Sequence, residues 1–204
     1  MDNIFWSIDL DFWGHQDILP ADLFRSILHR NVPIFIVKDH HSLLEYINDG
    51  EYQVILNTDH HSDIAEEWID EKTGRMTTPL NCGTWACFIK GRQDKTFIWH
   101  YPHNACLKSG YGGGYCHSFD NPFRKRHVTS WGNIFKRHAC EPMDGDGEVT
   151  AIGISISPDW TCRKTAKAFE PWYWKMIALG SPLVTAEEEL SDCLERMQGE
   201  IQMA

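Results

Sequence analysis

Long apolar runs are missing from this 204-residue chain. None approaches the roughly 20 residues that a bilayer-spanning helix needs, so no membrane-embedded role is expected. A charged-then-apolar leader is also missing: "MDNIFWSIDLDFW" carries an acid at its second residue, which does not read as a signal peptide. There is no Cys-x-x-Cys pair, and the seven Cys are an odd number. That combination argues against a disulfide framework and for a reducing, cytoplasmic setting with free thiols. Positive charge is scarce as well. Nineteen Lys and Arg stand against 29 Asp and Glu, a net charge of −10, which argues against general affinity for nucleic-acid phosphates or anionic membranes. The basic run Phe123–His127 is the exception and reads as a solvated loop. No solenoid-type repeat is present.

What is present is a globular composition, 42% apolar with nine Trp, in a length that suits one domain with a full core. The first hundred residues alternate. "NIFWSID" (3–9), "PIFIVK" (33–38) and "YQVILN" (52–57) read as buried strands, as do "WACFIK" (85–90) and "TFIWHY" (96–101). Between them, 21–30, 42–48 and 64–72 read as helices. Short apolar runs alternating with helices predict an α/β fold, a three-layer αβα sandwich around a mainly parallel sheet. Residues 102–148 break the rhythm: they are rich in Gly, Pro, His and Cys and read as an insertion within the single domain 1–204. A strand at 149–157 follows, then a helix at 163–179 kinked or restarted at Pro171, and an amphipathic helix at 185–198. One faint echo links "SIDLDFW" (7–13) to "SISPDWT" (155–161), each ending an apolar strand in Ser, Asp and Trp.

Three early strands end in acids and imidazoles: Ser7-Ile-Asp9-Leu-Asp11, Lys38-Asp39-His40-His41 and Asp59-His60-His61-Ser62-Asp63. Strand ends of a parallel sheet point the same way, so these tips can share one crevice. In extended chain, side chains two apart share a face, which groups Asp9 with Asp11 and Asp59 with His61 and Asp63. Four carboxylates gathered in a low dielectric repel one another by several kcal/mol unless a cation sits among them. An oxygen-rich, thiolate-free set with imidazoles suits Mn²⁺, or by availability Zn²⁺, Fe²⁺ or Co²⁺. Six ligands exceed one tetrahedral ion and fit two ions sharing a carboxylate. The bland reading of any one tip is a helix cap, with Asp39 capping the helix at Ser42.

These motifs resemble the arginase-like metallohydrolases, the ureohydrolase and deacetylase fold, and are closest to its poorly characterised members with Asp-His-His, Asp-x-His-x-Asp and Asp-x-Asp-Phe signatures. The resemblance covers mainly residues 5–100. It implies that one ion takes Asp9, His40, Asp59 and Asp63, and the second Asp9, Asp11, Asp59 and His61. Because Ser-x-Asp-x-Asp comes first in this chain, it also implies a circular permutation or a sheet order that restores the same convergence. The expected activity is hydrolysis of a C–N bond (amide, guanidine or acetyl-amine) in a small-molecule or peptide-like substrate, through a hydroxide bridging two ions. The stretch 77–85 lacks the His that arginases carry there, so proton transfer falls to His41 and His60 beside the ligands. Asn81, Trp85, His100 and Asp159 are expected to line the substrate pocket.

Three alternatives stand beside this reading. One is a two-metal phosphoesterase of the Asp-His-His type, disfavoured because "FWSIDLDFWG" lacks an upstream His. Another is a binding module stapled by zinc through His103, Cys106, Cys116, His117, His138 and Cys140, whose spacing matches no regular finger. The third is a pseudoenzyme that keeps the metal and acts by binding.

Overall fold

The computed structural model describes residues 2–13, 21–61, 63–64, 79–101, 131–138 and 147–199. They form a six-stranded sheet of β1 (Asn3–Asp9), β2 (Ile34–Val37), β3 (Val54–Thr58), β4 (Thr96–Tyr101), β5 (Asn133–His138) and β6 (Glu148–Ser155). The order across the sheet is β2-β6-β1-β3-β4-β5, and every neighbouring pair is parallel. Four α-helices accompany it: α1 (Ala21–His29), α2 (Leu44–Asp49), α3 (Arg163–Ala178) and α4 (Glu187–Gly199). The chain is therefore of the α/β class with a parallel sheet.

Strand side chains alternate between two cores. Ile4, Trp6 and Ile8 of β1 pack on one face with Phe24 and Ile27 of α1, Phe169 and Tyr173 of α3, and Leu190 and Leu194 of α4. Phe5 points the other way, to a core with Val37, Ile47, Ile55, Trp85, Phe97 and Trp99. Burial on both faces explains why these strands read as continuous apolar runs rather than as alternating ones. Ser7 and Asp9 lie on the Phe5 face by the same alternation. The outer edge of β2 is covered: Ile36 N–H donates to the Pro182 carbonyl at 3.2 Å, and Val184 N–H donates to the Ile36 carbonyl at 3.1 Å. That covering removes a free edge for unwanted pairing.

Three expectations change. Residues 85–90 are not a strand; Trp85–Phe88 form a 3-10 turn that buries Trp85, Ala86 and Cys87. A short apolar run satisfies a buried turn as well as a strand, and its period cannot distinguish them. Second, β5 lies inside the stretch read as an insertion, and pairs with β4 from Thr96↔Asn133 to Tyr101↔His138. Its sequence, "NIFKRH", holds two apolar residues in six, a composition suited to a sheet edge. Third, α3 runs unbroken through Pro171, which stands on its exposed side. There the Lys167 carbonyl left without an N–H partner can meet water. The helix expected at 64–72 falls almost wholly outside the described residues, as does most of 102–148. No helix among the described residues is long and apolar enough to cross a membrane.

Candidate metal centre

The tips of β1 and β3 are built alike. Asp9 Oδ1 accepts the backbone N–H of Asp11 at 3.0 Å, and Asp59 Oδ1 accepts that of His61 at 2.8 Å. Each aspartate thus ends its strand by binding the backbone two residues on, a turn that Asp forms readily. Asp11 consequently lies in the 3-10 turn Leu10–Trp13 and not on an extended continuation of β1. Asp63 is likewise off the strand, in left-handed backbone at φ 53. The shared faces expected from extended geometry are replaced by turns, and the turns bring the same side chains together.

His40 is the centre of the first group. It opens the 3-10 turn His40–Leu43 just beyond β2 and is 1% exposed. Asp39, expected as a cap, makes no side-chain capping bond; its carbonyl accepts the Ser42 N–H. His40 Nε2 faces the buried Ser7 hydroxyl at 2.6 Å. Nδ1 faces three carboxylates: Asp63 Oδ2 at 2.9 Å, Asp9 Oδ2 at 3.0 Å and Asp59 Oδ2 at 3.2 Å. Yet none of them has hydrogen-bond geometry with it, and Nδ1 is a buried nitrogen without a hydrogen-bond partner. The second group is more open. His61 Nδ1 lies 3.1 Å from Asp11 Oδ2 and 4.0 Å from Asp59 Oδ1, with 39% of the side chain exposed.

Neutral groups donate to the same carboxylate oxygens that face His40. Ser157 Oγ donates to Asp9 Oδ2 at 2.5 Å, and Asn57 Nδ2 to Asp59 Oδ2 at 3.3 Å. Trp85 Nε1 donates to Asp63 Oδ2 at 2.5 Å, while its ring lies 4.7 Å from that of His40. The Trp99 indole N–H fixes the Asp59 carbonyl at 3.0 Å.

The electrostatics follow from crowding. Burial, with Asp63 and Asp9 adding to it against His40, pushes the Asp59 carboxyl up to about 7. Asp11 is raised well above its ordinary value by burial, then by Asp9 and Asp59. Burial alone would lower both histidines, but the carboxylates outweigh it. Asp59, Asp63 and Asp9 raise His40 well above its usual value, and Asp11, Asp59 and Asp63 lift His61 to about 9. The cluster calls for positive charge, from protons or from a cation. Asp9, His40 and Asp59 form one set, and Asp11, Asp59 and His61 another, whose ligand atoms all lie within 4.8 Å of one another. Each set could hold a metal ion, and Asp59 belongs to both. The donors, carboxylate and imidazole without thiolate, fit a divalent cation, and His40 Nδ1, which makes no hydrogen bond yet lies within 3.2 Å of three carboxylate oxygens, is a place that could hold one.

The remaining expected residues lie around this cluster. His41 turns its Nδ1 to Cys82 Sγ at 3.6 Å. The His60 ring packs edge-on to His61 at 4.9 Å, while its backbone N–H meets Asp11 Oδ1 at 3.3 Å. Asn81 Oδ1 accepts the Gly83 N–H at 2.9 Å and so shapes the turn that delivers Trp85. Trp85 itself is wholly buried, so it supports Asp63 and offers no surface to a substrate. His100 belongs to the opposite face, with Nδ1 3.0 Å from Thr58 Oγ1 and its ring stacked on Phe12. Asp159 is exposed on the turn after β6. Among the zinc-staple residues only His138 is described, as the last residue of β5.

Sequence reading did not single out Ser157, Asn57 or the supporting role of Trp85. A signal existed in the echo between 7–13 and 155–161: β1 and β6 are neighbours, with Asp9 opposite Ser155, so the two similar tips meet at the cluster. No protein-family model matches the chain, and no curated protein or solved structure matches it either.

Proposed function

We propose that the chain is a hydrolase that uses two divalent cations, Mn²⁺ by preference, to cleave a C–N bond of the amide, guanidine or acetyl-amine type. One observation supports the reading: three strand tips bring Asp9, His40 and Asp59 into one group and Asp11, Asp59 and His61 into another, with Asp59 in both and Asp63 beside His40. Asp9, His40, Asp59 and Asp63 would hold the inner ion, and Asp11, Asp59 and His61 the outer. Such a pair supplies Lewis-acid polarisation and an acidified water near neutral pH. The chain's own residues do the rest. Ser7 Oγ, by accepting a hydrogen bond from His40 Nε2–H, would hold the tautomer that leaves Nδ1 free to ligate. Trp85 and Ser157 keep Asp63 and Asp9 aimed inward. The exposed side of His61 is the route of access, and His60 beside it is best placed to pass a proton to a leaving amine.

An arginase-like architecture with permuted chain order is part of the proposal. What supports it is that β1, although first in the chain, lies between β6 and β3, so its tip meets those of β2 and β3 regardless of sequence order. The test is metal analysis followed by a substrate panel. The Mn²⁺-loaded protein should hold about two ions per chain and release amine from an acetyl-amine or guanidine. Asp59→Asn should lose both ions together. Retention of both by that variant, or turnover of phosphodiesters alone, would overturn the proposal.

A further inference from the structure

Trp160 is 63% exposed, an unusual position for the largest side chain in a protein whose other cores are so aromatic. Its ring is nonetheless not adrift. The backbone beneath it is held firmly: Trp160 N–H and Thr161 N–H both donate to the Ser157 carbonyl, at 3.0 and 2.9 Å, and the buried Thr161 hydroxyl donates to the Ile156 carbonyl at 2.6 Å. The pivot of this turn, Ser157, has φ 44, a conformation that a non-glycine residue adopts only at a cost. The same Ser157 donates through its hydroxyl to Asp9, and its N–H donates to the Lys38 carbonyl at 2.8 Å. The turn that carries the indole is therefore fastened to a residue of the cluster and to the chain just before His40.

The indole meets His61 edge to face, with ring centroids 5.9 Å apart and planes at 68°. His61 is the exposed member of the outer ligand set. A ligand whose reacting group sits at Asp11, Asp59 and His61 would find the Trp160 ring beside His61, within reach of its next substituent. The exposed ring adds little to the stability of the fold, since it removes little apolar surface from water. The strained, doubly anchored mount makes sense if the ring has a binding role.

The geometry points to Trp160 as a specificity-determining residue: a platform on which a flat, π-bearing substituent of the ligand stacks beside the outer metal set. This inference rests on the proposed metal pair and extends it by naming the kind of substituent the site prefers. Aromatic stacking of this type changes affinity by up to about tenfold.

Acetohydroxamate and benzohydroxamate test it, because both chelate a divalent cation through the same two oxygens and differ in a methyl against a phenyl group. Calorimetry on the Mn²⁺-loaded protein should show benzohydroxamate binding about tenfold more tightly. Trp160→Ala should abolish that preference while leaving Mn²⁺ stoichiometry and acetohydroxamate affinity in place, and Trp160→Phe should keep most of it. Equal affinities in the wild type, a preference that survives Trp160→Ala, or failure of both hydroxamates to bind the Mn²⁺-loaded protein would overturn the platform alone. Failure to take up Mn²⁺ at all would remove the metal reading and this inference with it.

Discussion

Asp9 and Asp59 each give Oδ1 to the backbone N–H two residues on and turn Oδ2 toward His40, where Ser157 and Asn57 also donate to it. The division matters because a carboxylate fixed at one oxygen loses less freedom when the other binds a cation. Ser157 adds a second constraint on Asp9, and its two features can be separated by substitution. Ser157→Gly removes the hydroxyl but accommodates φ 44 without strain. It should weaken Mn²⁺ binding by about tenfold or more and lower the melting temperature less than Ser157→Ala, which loses the same hydroxyl and keeps the strain. Wild-type Mn²⁺ affinity in the glycine variant, read by calorimetry, would show that the hydroxyl does not serve Asp9. Trp85→Phe keeps the ring against His40 but deletes the N–H on Asp63. Leaving that buried carboxylate short of a donor should cost about 1–3 kcal/mol of stability in the metal-free protein. Chemical denaturation compares the two directly.

The 3-10 turn His40–Leu43 shows how an element is seated rather than merely adjacent. A Cβ on Gly153 would come within 2.7 Å of both Leu43 methyls and 2.9 Å of the Phe5 ring. Glycine at that point of β6 lets the turn lie against the sheet and sets the height of His40. Gly153→Ala should therefore overpack this contact, costing about 1–3 kcal/mol, and should weaken Mn²⁺ binding through His40. A normal melting temperature together with normal Mn²⁺ affinity would count against this seating. At this scale the sequence was legible where burial is two-sided and the run long enough. The strands β1, β2, β3, β4 and β6 lie within a few residues of their expected positions. It misled at Trp85–Phe88, where Asn81 and Thr84 close a turn that an apolar run does not announce. It was silent at β5, whose composition is that of an edge.

For the molecule as a whole, the parallel sheet concentrates buried acid at one end of a chain already at −10. The consequence for stability has a definite sign in the metal-free protein. His61, raised from 6.5 to about 9, contributes stability that is complete below 6.5 and is lost as pH rises through 9. Asp59, raised from 3.8 to about 7, is favoured by the fold while protonated, so its penalty grows as pH climbs from 3.8 through 7. Both act in one direction: the melting temperature in chelator should fall from mildly acid to alkaline pH. Added Mn²⁺ replaces the lost protons, so the rise in melting temperature it causes should grow over the same range. Thermal melts with and without Mn²⁺ across that window decide it, and a Mn²⁺ effect that shrinks with pH would contradict the placement of cations in this cluster.

The amino-acid order alone determined the α/β class, most strands, and the six side chains of the cluster, because periodic burial and strand-end acids are properties of short stretches of chain. Tertiary structure decided which strands neighbour which, since the hydrophobic effect has no direction and a parallel pairing spans any distance in sequence. By placing β6 between β2 and β1, it brought Ser157 across 148 positions to Asp9 and set Trp160 beside His61. It also converted expected extended tips into turns, because a carboxylate at a strand end binds the nearest free N–H before the chain can continue.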